Sequence, residues 1–146
     1  MGIFSKIKDE MPEGVRGQFI KEGYHKLKLK RCYRLDSRKK VTYVVAEFEV
    51  LESEVHRVGE TLTYMVGDDL DNFLRNCKTL FCAIVASYTG IATEEVASES
   101  VDEAIAEGII AEPGTAYAGT VLTCTAKDVV TKQGKPFTKR IFESPF

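Results

Sequence analysis

The sequence predicts a mainly β domain with one or two helices, in which five strands carry the sheet. Three observations lead there. The chain has 146 residues, 44% of them hydrophobic and 29% charged, which fits one globular domain with its own core and excludes a disordered or collagen-like chain. Stretches in which apolar and polar residues alternate strictly occur towards both ends, as strands with one buried face require. Between them lies one stretch with apolar residues at i, i+3, i+4 and i+7, the spacing of an amphipathic helix.

Residues 1–22 have no sustained period. Ile3, Phe4 and Ile7 could form a short helical stripe, which Pro12, Gly14 and Gly17 break, so the segment reads as an N-terminal arm. A domain over residues 23–143 follows. From Gly23, Leu27 and Leu29 alternate with Tyr24, Lys26, Lys28 and Lys30; the consecutive Lys30 and Arg31 suggest a bulge before Cys32 to Leu35 continue. The polar turn Leu35 to Lys40 leads into a second strand, Val41 to Leu51, with Val44, Ala46, Phe48 and Val50 on one side. Glu60 to Val66 is a third strand. Gly67 ends it, and Asp68 or Asp69 can accept from the open amides of a helix starting there. Leu70, Phe73, Leu74, Cys77, Leu80, Phe81, Ile84 and Val85 form that helix's apolar stripe. Acidic, Ala-rich Thr93 to Glu107 fits a second, exposed helix, and Gly108 to Gly119, with Pro113 and Gly114, a loop. Thr120 to Val130 returns to period two, turns at Thr131 to Lys135 and leaves as Pro136 to Glu143, which makes a second hairpin. Three strands, a helix and two strands is the order of a five-stranded Greek-key barrel of the oligonucleotide/oligosaccharide-binding (OB) type, with its helix between strands three and four.

The total charge of −2 hides a strong asymmetry. Residues 1–40 hold 12 Lys/Arg against 5 Asp/Glu, residues 41–118 hold 3 against 15, and residues 119–146 hold 5 against 2. Basic ends around an acidic middle suggest a polyanion partner. In an OB barrel the ligand crosses strands two and three between the loops joining strands one to two and four to five. Those loops carry Arg38, Lys39 and Lys40, and Lys132 and Lys135; the first strand adds Lys26, Lys28, Lys30, Arg31 and Arg34, the last Lys139 and Arg140. Aromatic side chains supply the stacking that holds unpaired bases. Tyr43, beside the basic loop and turned from the apolar face, is the leading candidate; Tyr24 and Tyr33 flank the basic ladder of the first strand, and Phe137 follows the second basic loop. A recognition-helix pattern is missing, so single-stranded DNA or RNA fits better than a duplex.

Gly23-Tyr24-His25-Lys26-Leu27-Lys28-Leu29, Glu47 to Ser53, Val58-Gly59-Glu60 and Lys132-Gln133-Gly134-Lys135-Pro136-Phe137-Thr138 resemble the corresponding stretches of small single-stranded-DNA-binding proteins, and related replication or recombination proteins, of tailed bacteriophages. The resemblance spans roughly residues 22–143. It implies an OB-type domain without catalysis or cofactor, coating single-stranded intermediates of phage DNA replication, recombination or repair in a bacterial cytoplasm. The tip at 144–146, Ser144-Pro145-Phe146 after Glu143, is similar to the acidic Pro-Phe tip with which bacterial single-stranded-DNA-binding proteins recruit partners, but it has one acid and no long linker before it. The acidic segment 94–112 is the other candidate surface for replication or recombination proteins.

Other chemistries have weaker support. Cys32, Cys77, Cys82 and Cys124 form no CxxC pair and read as reduced, mostly core residues. No apolar run approaches the ~18 residues of a transmembrane helix and no secretion signal is visible, so a soluble, unexported chain is expected. The common hydrolase, metalloprotease and phosphate-loop motifs are missing, so no enzyme activity and no cofactor are expected. Two alternatives stay open: a phage structural or host-interaction protein using the barrel as a scaffold, and a metal-dependent nuclease acting through Asp68, Asp69 and Asp71.

Overall fold

The long alternating segments pair with one another because only a sheet lets each bury one face. The structure, a computed structural model, describes residues 17–96, 98–130, 132–134 and 136–146. Its strands are β1 (Gln18–Phe19), β2 (Gly23–Asp36), β3 (Thr42–Ser53), β4 (Thr61–Gly67), β5 (Val121–Val130) and β6 (Pro136–Glu143). Two helices, α1 (Phe73–Thr89) and α2 (Glu103–Ile110), and two short 3-10 turns lie between β4 and β5. The strands form one sheet in the order β1-β4-β3-β2-β5-β6. All pairs are antiparallel except β1 with β4.

The apolar halves of the alternations line one core: Leu27 and Leu29 of β2, Val44, Ala46, Phe48 and Val50 of β3, Leu122 and Cys124 of β5, and Phe142 of β6. The β2–β3 register slips at Lys30, where Leu29 faces Phe48 and Arg31 faces Glu47. This is the bulge expected from the Lys30-Arg31 doublet, and such a bulge bends the strand. The sheet curls strongly enough that Phe142 stacks on Phe48 with ring centroids 5.5 Å apart and meets the edge of Tyr64 from β4 at 4.7 Å. Where β1 approaches β6 the seam is spanned by a side chain: the Arg140 guanidinium donates from Nε and Nη2 to the Ile20 carbonyl at 2.9 and 2.7 Å. Among the described residues no backbone ladder joins β1 to β6, so the sheet is a half-barrel with a stitched seam.

Several sequence expectations need correction. Among the described residues the sheet has six strands instead of five, because Gln18 and Phe19, read as arm, pair with Leu62 and Thr63. Residues 1–16 of that arm lie outside the described residues. The helix stripe holds from Cys77 to Ile84, but Leu70 and Leu74 are exposed, Leu74 to 77%. Asp68 and Asp69 do not start α1. Its N-cap is Asn72, with no side-chain cap bond, and Asp68 instead accepts from the Thr42 amide at 3.1 Å, tying the end of β4 to the start of β3. The acidic segment forms 3-10 turns first, and its helix begins only at Glu103, where Asp102 accepts from the Ile105 amide in the manner of an N-cap. That helix runs through Gly108 to Ile110, into the stretch read as loop.

The loop after α2 lies against β2, where Gly114 accepts from the Cys32 amide at 2.8 Å. Gly114 has φ +81, and a Cβ there would sit 2.5 Å from the Cys32 carbonyl oxygen, so glycine is required twice over. The four cysteines are free thiols, three of them buried. Burial pushes Cys32 and Cys124 up to about 12 and Cys77 to about 11, which keeps these thiols protonated and inert. Among the described residues no helix is long and apolar enough to cross a membrane.

Candidate nucleic-acid interface

The side chains that β2, β5 and β6 turn away from the core form ordered rows, because both ladders joining these strands are antiparallel and unbroken in register. Leu122, Cys124 and Ala126 of β5 are buried, so Thr123, Thr125, Lys127 and Val129 face outward. On β6, Phe142 is buried, so Phe137, Lys139 and Ile141 share the outward side. Tyr24 pairs with Thr125, and Thr125 with Ile141. The next row pairs Lys127 with Lys139, and the one after it Val129 with Phe137. Successive rows are about 6.8 Å apart, two residues of strand rise. Tyr24 and Phe137 are 48% and 46% exposed and flank the lysine row.

Lysines directly opposite each other on paired strands repel, which costs stability unless an anion lies between them. Among the described residues neither Lys127 nor Lys139 takes part in an ion pair. Lys26, on the same face, pairs in register with Thr123 on one side and Glu52 on the other. Lys132 is exposed in the β5–β6 turn, and Lys135 lies outside the described residues.

Most of the rest of the expected basic ladder is compensated by acids, from the neighbouring strand for Lys28 and Arg31 and from two residues along the same strand for Arg34. Lys28 lies 3.7 Å from Glu49, Arg31 3.4 Å from Glu47, and Arg34 3.1 Å from Asp36. Asp36 also accepts from the Thr42 hydroxyl, and these two hydrogen bonds hold its carboxyl below the usual range. Lys30 donates to the Thr61 hydroxyl at 3.3 Å. Arg140 is committed to the seam, with its guanidinium on Ile20.

The aromatic candidates separate in the same way. Tyr33 is only 8% exposed; its hydroxyl donates to Glu47 at 3.1 Å, and the Arg31 guanidinium covers its ring at 3.9 Å. The platform expected there is therefore occupied. Tyr43 is half-buried opposite Gly67, where a Cβ would meet its ring carbon at 2.9 Å, so the ring lies over that glycine. Tyr24 and Phe137 keep open surface.

Arg38, Lys39 and Lys40 are exposed and form a tight hairpin loop: Ser37 donates to the Val41 carbonyl at 2.9 Å, and Lys40 has φ 63. A turn closed by one left-handed residue is the usual geometry for a loop of this length. The loop continues the Asp36 end of β2, whereas β5 runs past the Gly23 end before turning at residues 131–135. The two basic tips thus lie beyond opposite ends of a 14-residue strand, about 45 Å of extended chain apart along it. The sequence reading sets a ligand between these tips, which stand past opposite ends of β2 rather than side by side on it. Lys127 is the residue that sequence reasoning missed, though hairpin symmetry about residues 131–135 places it opposite Lys139.

No protein family matches the chain, and none of the curated proteins compared with it matches either.

Proposed function

We propose that this chain binds single-stranded DNA without sequence preference, through the outward face of β2, β5 and β6, and serves DNA replication, recombination or repair of the kind phages carry out. The observation that carries this reading is the row pattern of Tyr24 with Ile141, Lys127 with Lys139, and Val129 with Phe137. A strand of nucleotides laid along the hairpin would meet an aromatic ring, a pair of ammonium groups and a second ring in succession. Stacking and phosphate neutralisation are the two components of sequence-tolerant single-strand binding. The order β4-β3-β2-β5-β6, with helices between β4 and β5, supports an OB-like architecture in which β1 is an added strand at the seam.

The test is a fluorescence-anisotropy titration with labelled oligothymidine over a salt series. Contacts from Lys26, Lys127, Lys132 and Lys139 give an expected slope of log K against log salt of about −3, at about 0.7 per phosphate. Absence of binding at low salt overturns the reading and favours a protein scaffold. Because Lys39 and Lys40 lie beyond the far end of β2, Lys39→Ala with Lys40→Ala is expected to leave this slope unchanged. A grip spanning both hairpin tips would instead reduce it by about 1.4.

A further inference from the structure

Two histidines far apart in sequence hold the same peptide unit. His25 on β2 is fully buried, and His56 in the β3–β4 loop is nearly so. Their rings are 5.3 Å apart. The Lys21 amide donates to His56 Nε2 at 3.1 Å, while the Lys21 carbonyl lies 2.7 Å from His25 Nε2. His25 Nδ1 lies 2.7 Å from Ser53 Oγ. Ser53 Oγ already accepts from the Val55 and His56 amides, so its own proton points to His25 Nδ1. His25 therefore carries its proton on Nε2 and donates to Lys21. His56 must do the reverse: to accept from the Lys21 amide its Nε2 must be bare.

We propose that this histidine pair is an acid-released clamp on the segment from Gly17 to Glu22, a device independent of the nucleic-acid reading. A proton on His56 Nε2 would face the Lys21 N–H as donor against donor, and the contact would be lost. The segment's other ties are the pairing of Gln18 and Phe19 with Leu62 and Thr63, the Gln18 side chain donating to Glu60 Oε1, the Asp128 amide donating to Glu22 Oε2 at 2.9 Å, and the Ile20 carbonyl taking the Arg140 guanidinium. Lifting Lys21 would uncover buried Ile20 and release Arg140 from the seam, beside a groove of about 520 Å³ lined by Phe19, Lys21, Thr138 and Arg140.

The charged and titratable groups facing His56 are Glu60, with its carboxylate 3.8 Å from Nδ1, His25 and Lys21; Glu54 lies just beyond, holding the Tyr24 amide. Burial, assisted by His25 and Lys21 and opposed by Glu60, keeps His56 below its ordinary value of 6.5. Release returns it to about 6.5, so the open form binds protons more readily than the clamped one. The clamp is then fully effective above about pH 6.5 and weakens as pH falls, until His56 titrates in place.

The test is hydrogen exchange by NMR on the full chain, with rates normalised to the intrinsic rate at each pH. The protection factor of the Lys21 amide is expected to fall as pH drops below about 6.5, by no more than tenfold per pH unit, while that of Phe48 in β3 stays constant. In His56→Gln the amide oxygen accepts from Lys21 at every pH, and the fall disappears. A Lys21 protection factor that is flat with pH in the parent, or falls equally in the variant, overturns the proposal. The parent alone gives a second check, because nitrogen shifts of the His56 ring at pH 7.5 must show the proton on Nδ1. A proton on Nε2 rules the clamp out.

Discussion

Lys127→Glu is expected to lower oligothymidine affinity while making the protein slightly more stable. Few single substitutions do both. Lys127 stands directly opposite Lys139 on the β5–β6 ladder, so the new carboxylate turns a repulsive cross-strand pair into an attractive one, worth roughly 0.2–1 kcal/mol. The same change removes one phosphate contact and neutralises the second. At about 0.7 per phosphate the salt slope should shrink by about 1.4, which near 0.1 M salt corresponds to a ~25-fold loss of affinity. Tyr24→Ala makes the contrast, because a lost stacking surface costs ~1–3 kcal/mol of binding with no change in slope. Anisotropy across a salt series and urea denaturation of each variant decide the matter. Equal binding by Lys127→Glu and the parent would mean that the outward face of β2, β5 and β6 is not the interface.

The parts of the molecule legible in the sequence are those written with a long period. β2, β3, β4 and β5 carry apolar residues at every second position over much of their length, and the helix from Cys77 to Ile84 repeats them at helical spacing. β1 was illegible because two residues cannot show a period; its existence depends on Leu62 and Thr63, more than forty positions away. Leu70 and Leu74 fit the helical pattern yet lie exposed, since periodicity reports a face and not whether something covers it. The interface divides along the same line. That Lys28 and Arg31 are basic could be read directly, but that Glu49 and Glu47 compensate them depends on the β2–β3 register, whereas Arg34 and Asp36, two residues apart on one strand, are paired by the sequence spacing itself. Lys127 was within reach, since a strand's register in a hairpin follows from its turn and Lys127 mirrors Lys139 about residues 131–135.

Phe142→Ala should be the most damaging single truncation, because this one side chain joins the two ends of the curl. It projects from β6 and is 2% exposed, stacked on Phe48 and edge-on to Tyr64. Tyr64 is itself buried deeply enough for its hydroxyl to be pushed up to about 12. Removing a buried phenyl ring costs ~3–5 kcal/mol in transfer and cavity terms. Against a total stability of about 5–15 kcal/mol for a domain of ordinary size, that is a large share. The loss should be more than local. With no backbone ladder closing β1 against β6 among the described residues, the curl is tied by this aromatic cluster and by Arg140 on Ile20. Urea denaturation is expected to show a much lower midpoint with an unchanged m-value, as a cavity in a still-folded core requires. A lower m-value as well would mean that the variant's sheet has opened before unfolding, and a cost under about 1 kcal/mol would place the stability of the curl elsewhere.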